Sequence, residues 1–270
     1  MWQTLVVHCS QDRLDKYLGK VAEDQISAEF LYVANQQVSE SLYPLLSILE
    51  VSLRNRVHKQ LHTKFGSSDW WDNSALNIQA FATNQDKINK AKSKIYHRTT
   101  TIASKQKIKA SQIVAELSFN FWTDLFHVDL GHVLWSDLML CFPHLPKESK
   151  KRKSVAKPLS NLTRLRNRVM HHEPILFDAS ALPADLHSKG RELLSWMSQD
   201  MATWLAKNDR FDEVWSKYTT TRTYLDKWLA CQAALNAAHA IANNPSLNTL
   251  YRTRDQAKEE FHIEAKKYLG

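Results

Sequence analysis

Leu42, Leu46, Leu49, Leu53, Val57 and Leu61 recur at steps of three and four residues. That spacing predicts an amphipathic helix opening at Leu42, with Gly66 as its stop. The following Ser67-Ser68-Asp69-Trp70-Trp71 reads as a loop with an aromatic plug. Residues 83–96 predict a polar helix, and Thr99-Thr100-Thr101 a turn. A helix is expected from Ser111 through Phe126, then an apolar one around Val133–Phe142, punctuated by Pro143 and Pro146. Ser160 or Asn161 is the expected cap of the next helix, which carries Leu162, Leu165 and Val169 and ends before Pro174. Three further helices fit 184–206, 219–242 and 250–268, with Asn243-Asn244-Pro245-Ser246 as a break. No solenoid repeat and no strand pattern stands out.

Composition agrees with this reading. In 270 residues there are 5 Gly and 7 Pro, too few for the many tight turns of an all-β fold. The hydrophobic fraction of 43% and charged fraction of 24% are those of a globular chain that buries a core. Cys9, Cys141 and Cys231 lie far apart with no C-x-x-C pair, which argues against a disulfide framework and fits a cytoplasmic setting. The start of the chain shows no signal peptide, and no apolar run approaches a membrane span. The fold class is all-α.

Charge narrows the partners. A net charge of +8 points to an acidic partner, and the cations are clustered. Residues 87–109 hold eight Lys/Arg, including Lys105, Lys107 and Lys109, and no Asp or Glu. A second cluster contains Lys150, Lys151, Arg152 and Lys153. Either run is a solvated face or a track for a phosphate backbone.

The segment with chemistry runs Arg164-Leu165-Arg166-Asn167-Arg168-Val169-Met170-His171-His172-Glu173-Pro174. Arginine and histidine near one helix end are what metal-free RNA cleavage requires. A neutral imidazole takes the proton of a ribose 2′-hydroxyl, and a guanidinium holds the charge that develops on the phosphate. Spacing alone is weak evidence: 13 Arg and 12 His give roughly 0.6 chance hits per spacing, and Arg56 with His62 also matches. Context distinguishes Arg166, with a polar Asn after it, Arg164 and Arg168 flanking it, and the Glu173-Pro174 stop. Asn167 and His171 are four apart and share a helix face, so Asn167 is placed to orient the imidazole. Arg166 and His171 lie about 140° apart at 100° per residue, so one straight helix does not bring them together. A two-fold axis that joins two copies of the segment does. The bland alternative is a solvated basic face with histidines favoured by the helix C-terminus.

Three stretches together resemble the AbiD/AbiF abortive-infection (Abi-like) family of the HEPN superfamily. Residues 166–174 look like its R-N-x-x-x-H-H-E-P signature, and Leu45–Asn55 looks like its early helix with an E-x-x-x-R-N pattern. Ala115–Trp122 is similar to its E-L-[ST]-F-G-F-W segment, with Asn120 in place of the Gly. The order matches, over about 45 to 176. The resemblance implies a HEPN-like helical bundle, here with additional C-terminal helices, and a homodimer. It also implies an RNA-targeting effector of phage defence or a toxin–antitoxin pair, some members being associated with a small regulatory RNA. Carried over by position, Arg166, Asn167 and His171 are catalytic. His172, Glu50, Arg54 and Asn55 support them, and Lys105, Lys107, Lys109, Lys150, Lys151, Arg152, Lys153, Arg164 and Arg168 contact RNA. Glu50 and Arg54 are four apart and so can pair with each other, and a helix-stabilising ion pair is the bland alternative to a place near the cleft. Residues 1–207 form the expected core, and 208–270 a helical extension of the same globular unit.

A metal site at His171-His172-Glu173 is set aside, because adjacent helical side chains diverge by about 100°, and neither metal nor cofactor is expected. Three functions remain from the sequence: a dimeric metal-independent endoribonuclease, a non-catalytic RNA-binding module holding a small regulatory RNA, and a helical interaction scaffold.

Overall fold

The computed structural model describes residues 2–99, 108–178, 182–239 and 246–270. Its helices are α1 (Trp2–Cys9), α2 (Gln11–Leu18), α3 (Gln25–Phe65), α4 (Ala82–Thr99), α5 (Ala110–Glu116) and α6 (Phe119–Asp124). They continue as α7 (Gly131–Leu138), α8 (Arg152–Met170), α9 (Pro183–Met197), α10 (Gln199–Ala206), α11 (Phe211–His239) and α12 (Leu247–Leu269). Short 3-10 turns join several of them, and among the described residues there is no strand. The fold is all-α. Among those residues no helix is long and apolar enough to cross a membrane.

The chain divides into two compact units. The first collects residues 1–42, 172–177 and 210–270, and the second 43–171 and 178–209. The first 42 residues thus group with the C-terminal helices.

In the first unit α11 and α12 pack on each other and on the start of α3, through Phe30, Tyr218, Phe261 and Tyr268. Asp24 ties this corner together. Its Oδ2 accepts from Ser27 N at 3.0 Å and Ser27 Oγ at 2.7 Å, capping the start of α3. From α12, Lys258 Nζ lies 2.9 Å from Asp24 Oδ1 and His262 Nε2 3.0 Å from Oδ2.

In the second unit the predicted stripe is fully used. Leu42, where the first unit ends, and Leu46, Leu49, Leu53, Val57 and Leu61 are all buried, and Gly66 follows with φ +68°. The helix starts at Gln25, well before Leu42, and runs through Pro44. The aromatic plug is real: Trp70 and Trp71 are buried, and Trp70 Nε1 donates to His58 Nδ1 at 3.1 Å. Close packing fixes α9 against α3, where a Cβ at Gly190 would stand 2.7 Å from Leu45 Cδ2. His187 Nε2 and Asp209 Oδ2, both buried, meet at 2.8 Å.

Several helix boundaries differ from expectation, each for a local reason. The helix expected over 111–126 is two, because Leu117 and Ser118 are extended, with ψ 131° and 162°. The break turns Phe119, Phe121 and Trp122 wholly into the core. Ser160 and Asn161 cap nothing: α8 begins at Arg152 and passes through Pro158. Pro158 lacks one backbone donor, but Val155, Leu159 and Leu162 form one continuous buried row across it. The segment 184–206 breaks at Ser198, whose side chain accepts from Met201 N. The expected turn at Thr99–Thr101 and the break at 243–246 fall largely outside the described residues; α4 is helical as far as Thr99.

Burial by itself would raise the Asp24 carboxyl, but its bonds from Lys258, Ser27 and His262 outweigh this and hold it down at about 2. An unfolded aspartate takes its proton near 3.8, so folding favours the ionised form. The contribution is full above that pH, amounts to ~2 kcal/mol, and is lost as pH falls from about 4 to about 2. Asp24→Asn is expected to lower the stability of the first unit by that amount at neutral pH and to flatten this acid limb, read by circular dichroism against pH and urea.

Candidate active site on α8

The site is built on the last turns of α8. Val155, Leu159, Leu162, Leu165 and Val169 are buried, so Arg166 and Asn167 come up on the flank of that row, each half-buried. Arg166 Nε donates to Glu50 Oε2 at 3.2 Å, joining α8 to α3 across 116 positions of sequence. Its Nη1 lies 3.4 Å from the Asn167 amide oxygen. The guanidinium is thus aimed by a carboxylate and a neighbouring amide, the arrangement that fixes an arginine in one direction.

The Glu50–Arg54 pair that the spacing allows is not formed. Glu50 serves Arg166, and Arg54 Nε is buried with no hydrogen-bond partner among the described residues. Asn55 is exposed.

His171 stands at the helix terminus. It has φ −95° and ψ 8°, outside the helix, while its backbone N–H still bonds to the Asn167 carbonyl at 2.9 Å. Its side chain is exposed, and among the described residues it has no hydrogen-bond or ion-pair partner. The Asn167 amide oxygen accepts from Arg166 and not from the imidazole, so the orienting role expected for Asn167 is directed at the guanidinium instead.

His172 belongs to the first unit, with a left-handed φ of +55°. There its carbonyl accepts from Arg13 Nη1 at 2.8 Å. Buried Asn35 takes the next residues: its Oδ1 accepts from Ile175 N at 2.7 Å and its Nδ2 donates to the Glu173 carbonyl at 3.3 Å. The His-Glu-Pro signature therefore holds backbone in place through its peptide groups. Among the described residues no group of three His, Cys, Asp or Glu is arranged to hold a metal ion.

The basic residues differ in what they can offer. Lys109, Lys150, Lys151, Lys153 and Arg164 are exposed, whereas Lys105 and Lys107 lie outside the described residues. Arg168 pairs with Asp178 at 3.1 Å, and Arg152 Nη1 bonds to the Phe126 carbonyl at 2.6 Å. Sequence reasoning missed Asp178 as that partner. It also missed a cleft of about 190 Å³ beside α8 whose lining includes Asn120, Thr123, His127 and Thr163. Asn120, visible in the sequence as a departure from Gly, was the one signal for it.

No protein-family model, no curated protein and no solved structure matches the chain.

Removing Glu50 leaves a half-buried guanidinium without its counter-charge. Glu50→Ala is expected to lower the stability of the second unit by about 1.5–3 kcal/mol, the range for a hydrogen bond to a charged group. The double variant Glu50→Ala/Arg166→Ala should lose less than the two single losses added, as read from urea unfolding of all four proteins by tryptophan fluorescence.

Proposed function

We propose that this chain is a metal-independent endoribonuclease of HEPN type, active as a homodimer. The observation that carries the reading is the end of α8. There Glu50 and Asn167 aim one guanidinium, and the imidazole one turn on is exposed and unengaged. Such a pair suits phosphoryl transfer to an internal nucleophile. His171 takes the proton of a ribose 2′-hydroxyl, the 2′-oxygen bonds to the adjacent phosphorus, and the P–O5′ bond breaks. Arg166 stabilises the charge gathered on the non-bridging oxygens, and the 5′-oxygen leaves with a proton from the second copy's His171. The products are a 2′,3′-cyclic phosphate and a 5′-hydroxyl.

The dimer part of this reading is supported by the directions of the two side chains. Arg166 is turned toward α3 by Glu50, whereas His171 projects from the helix end. A two-fold axis near that end supplies a second imidazole and guanidinium to one phosphate. By its resemblance to the AbiD/AbiF family, the enzyme acts as an abortive-infection or toxin effector.

Incubation of the purified protein with total RNA in EDTA tests this. Cleavage is expected to persist under chelation and to yield cyclic-phosphate ends. His171→Ala should slow it by about 10²–10⁴, the usual contribution of general acid–base catalysis. Arg166→Ala should slow it by about 10²–10³. RNA left intact by the wild-type protein but bound in a salt-sensitive manner would replace this reading with a non-catalytic module that holds a small regulatory RNA. Neither cleavage nor binding would leave a scaffold.

A further inference from the structure

The cleft between α6 and α8 has a composition that the mechanism does not use. Along α8 it is lined by Arg152, Ala156, Ser160, Thr163, Arg164 and Asn167, one face of the helix at steps of three and four. Asn120, Thr123 and His127 line it from α6 and the turn beyond. At about 190 Å³ it is smaller than the roughly 300–1,000 Å³ that encloses a whole drug-sized ligand, so it takes one group of a longer molecule.

The charge balance says which group. The sequence of α8 contains six Lys or Arg and no Asp or Glu, with no acidic residue in the first turn. The one carboxylate in the lining, Asp124, is neutralised by its ion pair with Lys87 and accepts from Asn120 Nδ2 at 3.0 Å. Arg152 is held by the Phe126 carbonyl through a single Nη1 bond. Arg164 Nη2 bonds only to Asn161 Oδ1, at 2.7 Å on its own helix, and the side chain is otherwise exposed. Both guanidinia therefore keep donors for an anion. The floor is polar and rigid: Thr163 Oγ1 lies 3.0 Å from Thr123 Oγ1 and 2.9 Å from the Leu159 carbonyl. Asn120, which adopts an ordinary helical backbone, adds an amide where Gly would add nothing.

The cleft also has a direction. It opens at the first residue of α8 and ends on Asn167, beside Arg166. At about 1.5 Å per residue, Arg164 stands about 10 Å along the axis from His171. We propose that this cleft is a subsite for one nucleotide of a single-stranded RNA, next to the position cleaved. Arg152 and Arg164 take its phosphate, and Asn120, Thr123 and Thr163 face its sugar and base. The proposal rests on the ribonuclease reading for the word "cleaved", and on the cleft alone for binding.

The test separates the two. The probe is a short 2′-O-methyl RNA oligonucleotide, which lacks the attacking hydroxyl and reports binding only. Its affinity for the full-length protein is measured across a salt series by fluorescence anisotropy. Arg164→Glu reverses an exposed charge, and Ser160→Tyr fills the cleft from an exposed position, so neither disturbs the core. Each is expected to weaken binding by about tenfold or more, and Arg164→Glu to reduce the salt slope by about one phosphate contact. Lys207→Glu makes the same charge change at an exposed position outside the lining and should change affinity less than about threefold. Losses in Arg164→Glu and Ser160→Tyr no larger than in Lys207→Glu, or no binding by the wild type, would overturn the subsite. Cleft-dependent binding without cleavage of ordinary RNA would uphold the subsite and overturn the nuclease; cleavage indifferent to both cleft variants would do the reverse.

Discussion

The row Leu42, Leu46, Leu49, Leu53, Val57 and Leu61 on α3 has to be covered. Covering it organises the second unit. Six large aliphatic side chains left in water would cost on the order of 10 kcal/mol, comparable to the whole stability of a domain. The helices that meet α3 leave marks of how closely they approach: Gly190 of α9 has no room for a side chain against Leu45, and Arg166 of α8 reaches Glu50. Glu50 follows the buried Leu49 directly, so it lies at the edge of the apolar row. A carboxylate at the rim of a buried seam is partly desolvated and requires a cation, and the helix that covers the rim supplies one. The geometry of Arg166 is thus a consequence of core packing. That gives a candidate catalytic arginine a rigid mount.

The electrostatics of α8 then sort its cations by use. Arg152, Arg166 and Arg168 are each tied to an acceptor within the second unit, the Phe126 carbonyl, Glu50 and Asp178. Lys153, Lys157 and Arg164 are exposed on the same helix. A helix with no acidic residue repels itself along its length, and its N-terminal end carries the positive pole of the backbone dipole as well. Such a surface is unfavourable alone and favourable against a polyanion, whose binding releases counter-ions. The three tied arginines are fixed in direction, whereas the three exposed cations present their charge to solvent.

How much of this was legible in the sequence depends on whether a feature is local. The α3 stripe, the Gly66 stop, the tryptophan plug and the end of α8 before Pro174 were readable, because periodicity, turn chemistry and proline act within a few residues. The start of α8 was not. Pro158 and the polar pair Ser160-Asn161 suggested a beginning there, and only the tertiary cover of Val155 and Leu159 carries the helix through. The break at Leu117–Ser118 is hidden for the same kind of reason, since it serves the burial of Phe119, Phe121 and Trp122 rather than any local preference. At the site, Arg166, Asn167 and His171 stand near one helix end as the sequence suggests, but their partners were not legible. Sequence spacing pairs Glu50 with Arg54, one turn away, whereas the structure pairs it with a residue 116 positions on. The cleft beside α8 was invisible, because its two walls come from segments separated by about 40 residues, as in the Thr123–Thr163 contact.

The end of α8 also changes what the spacing argument is worth. An angle of about 140° between Arg166 and His171 holds only while both are helical. His171 is not: its ψ of 8° places it at the cap, where the imidazole is no longer locked to the helical wheel. Arg166, by contrast, is locked, by Glu50 from another helix and by Asn167 beside it. Under the proposed mechanism the fixed member of the pair would be the charge stabiliser and the less constrained member the base. This order is chemically reasonable, since the guanidinium has to meet charge at one position while the imidazole has to move a proton between two atoms. A second copy of the chain would then supply the missing acid without requiring either helix to bend.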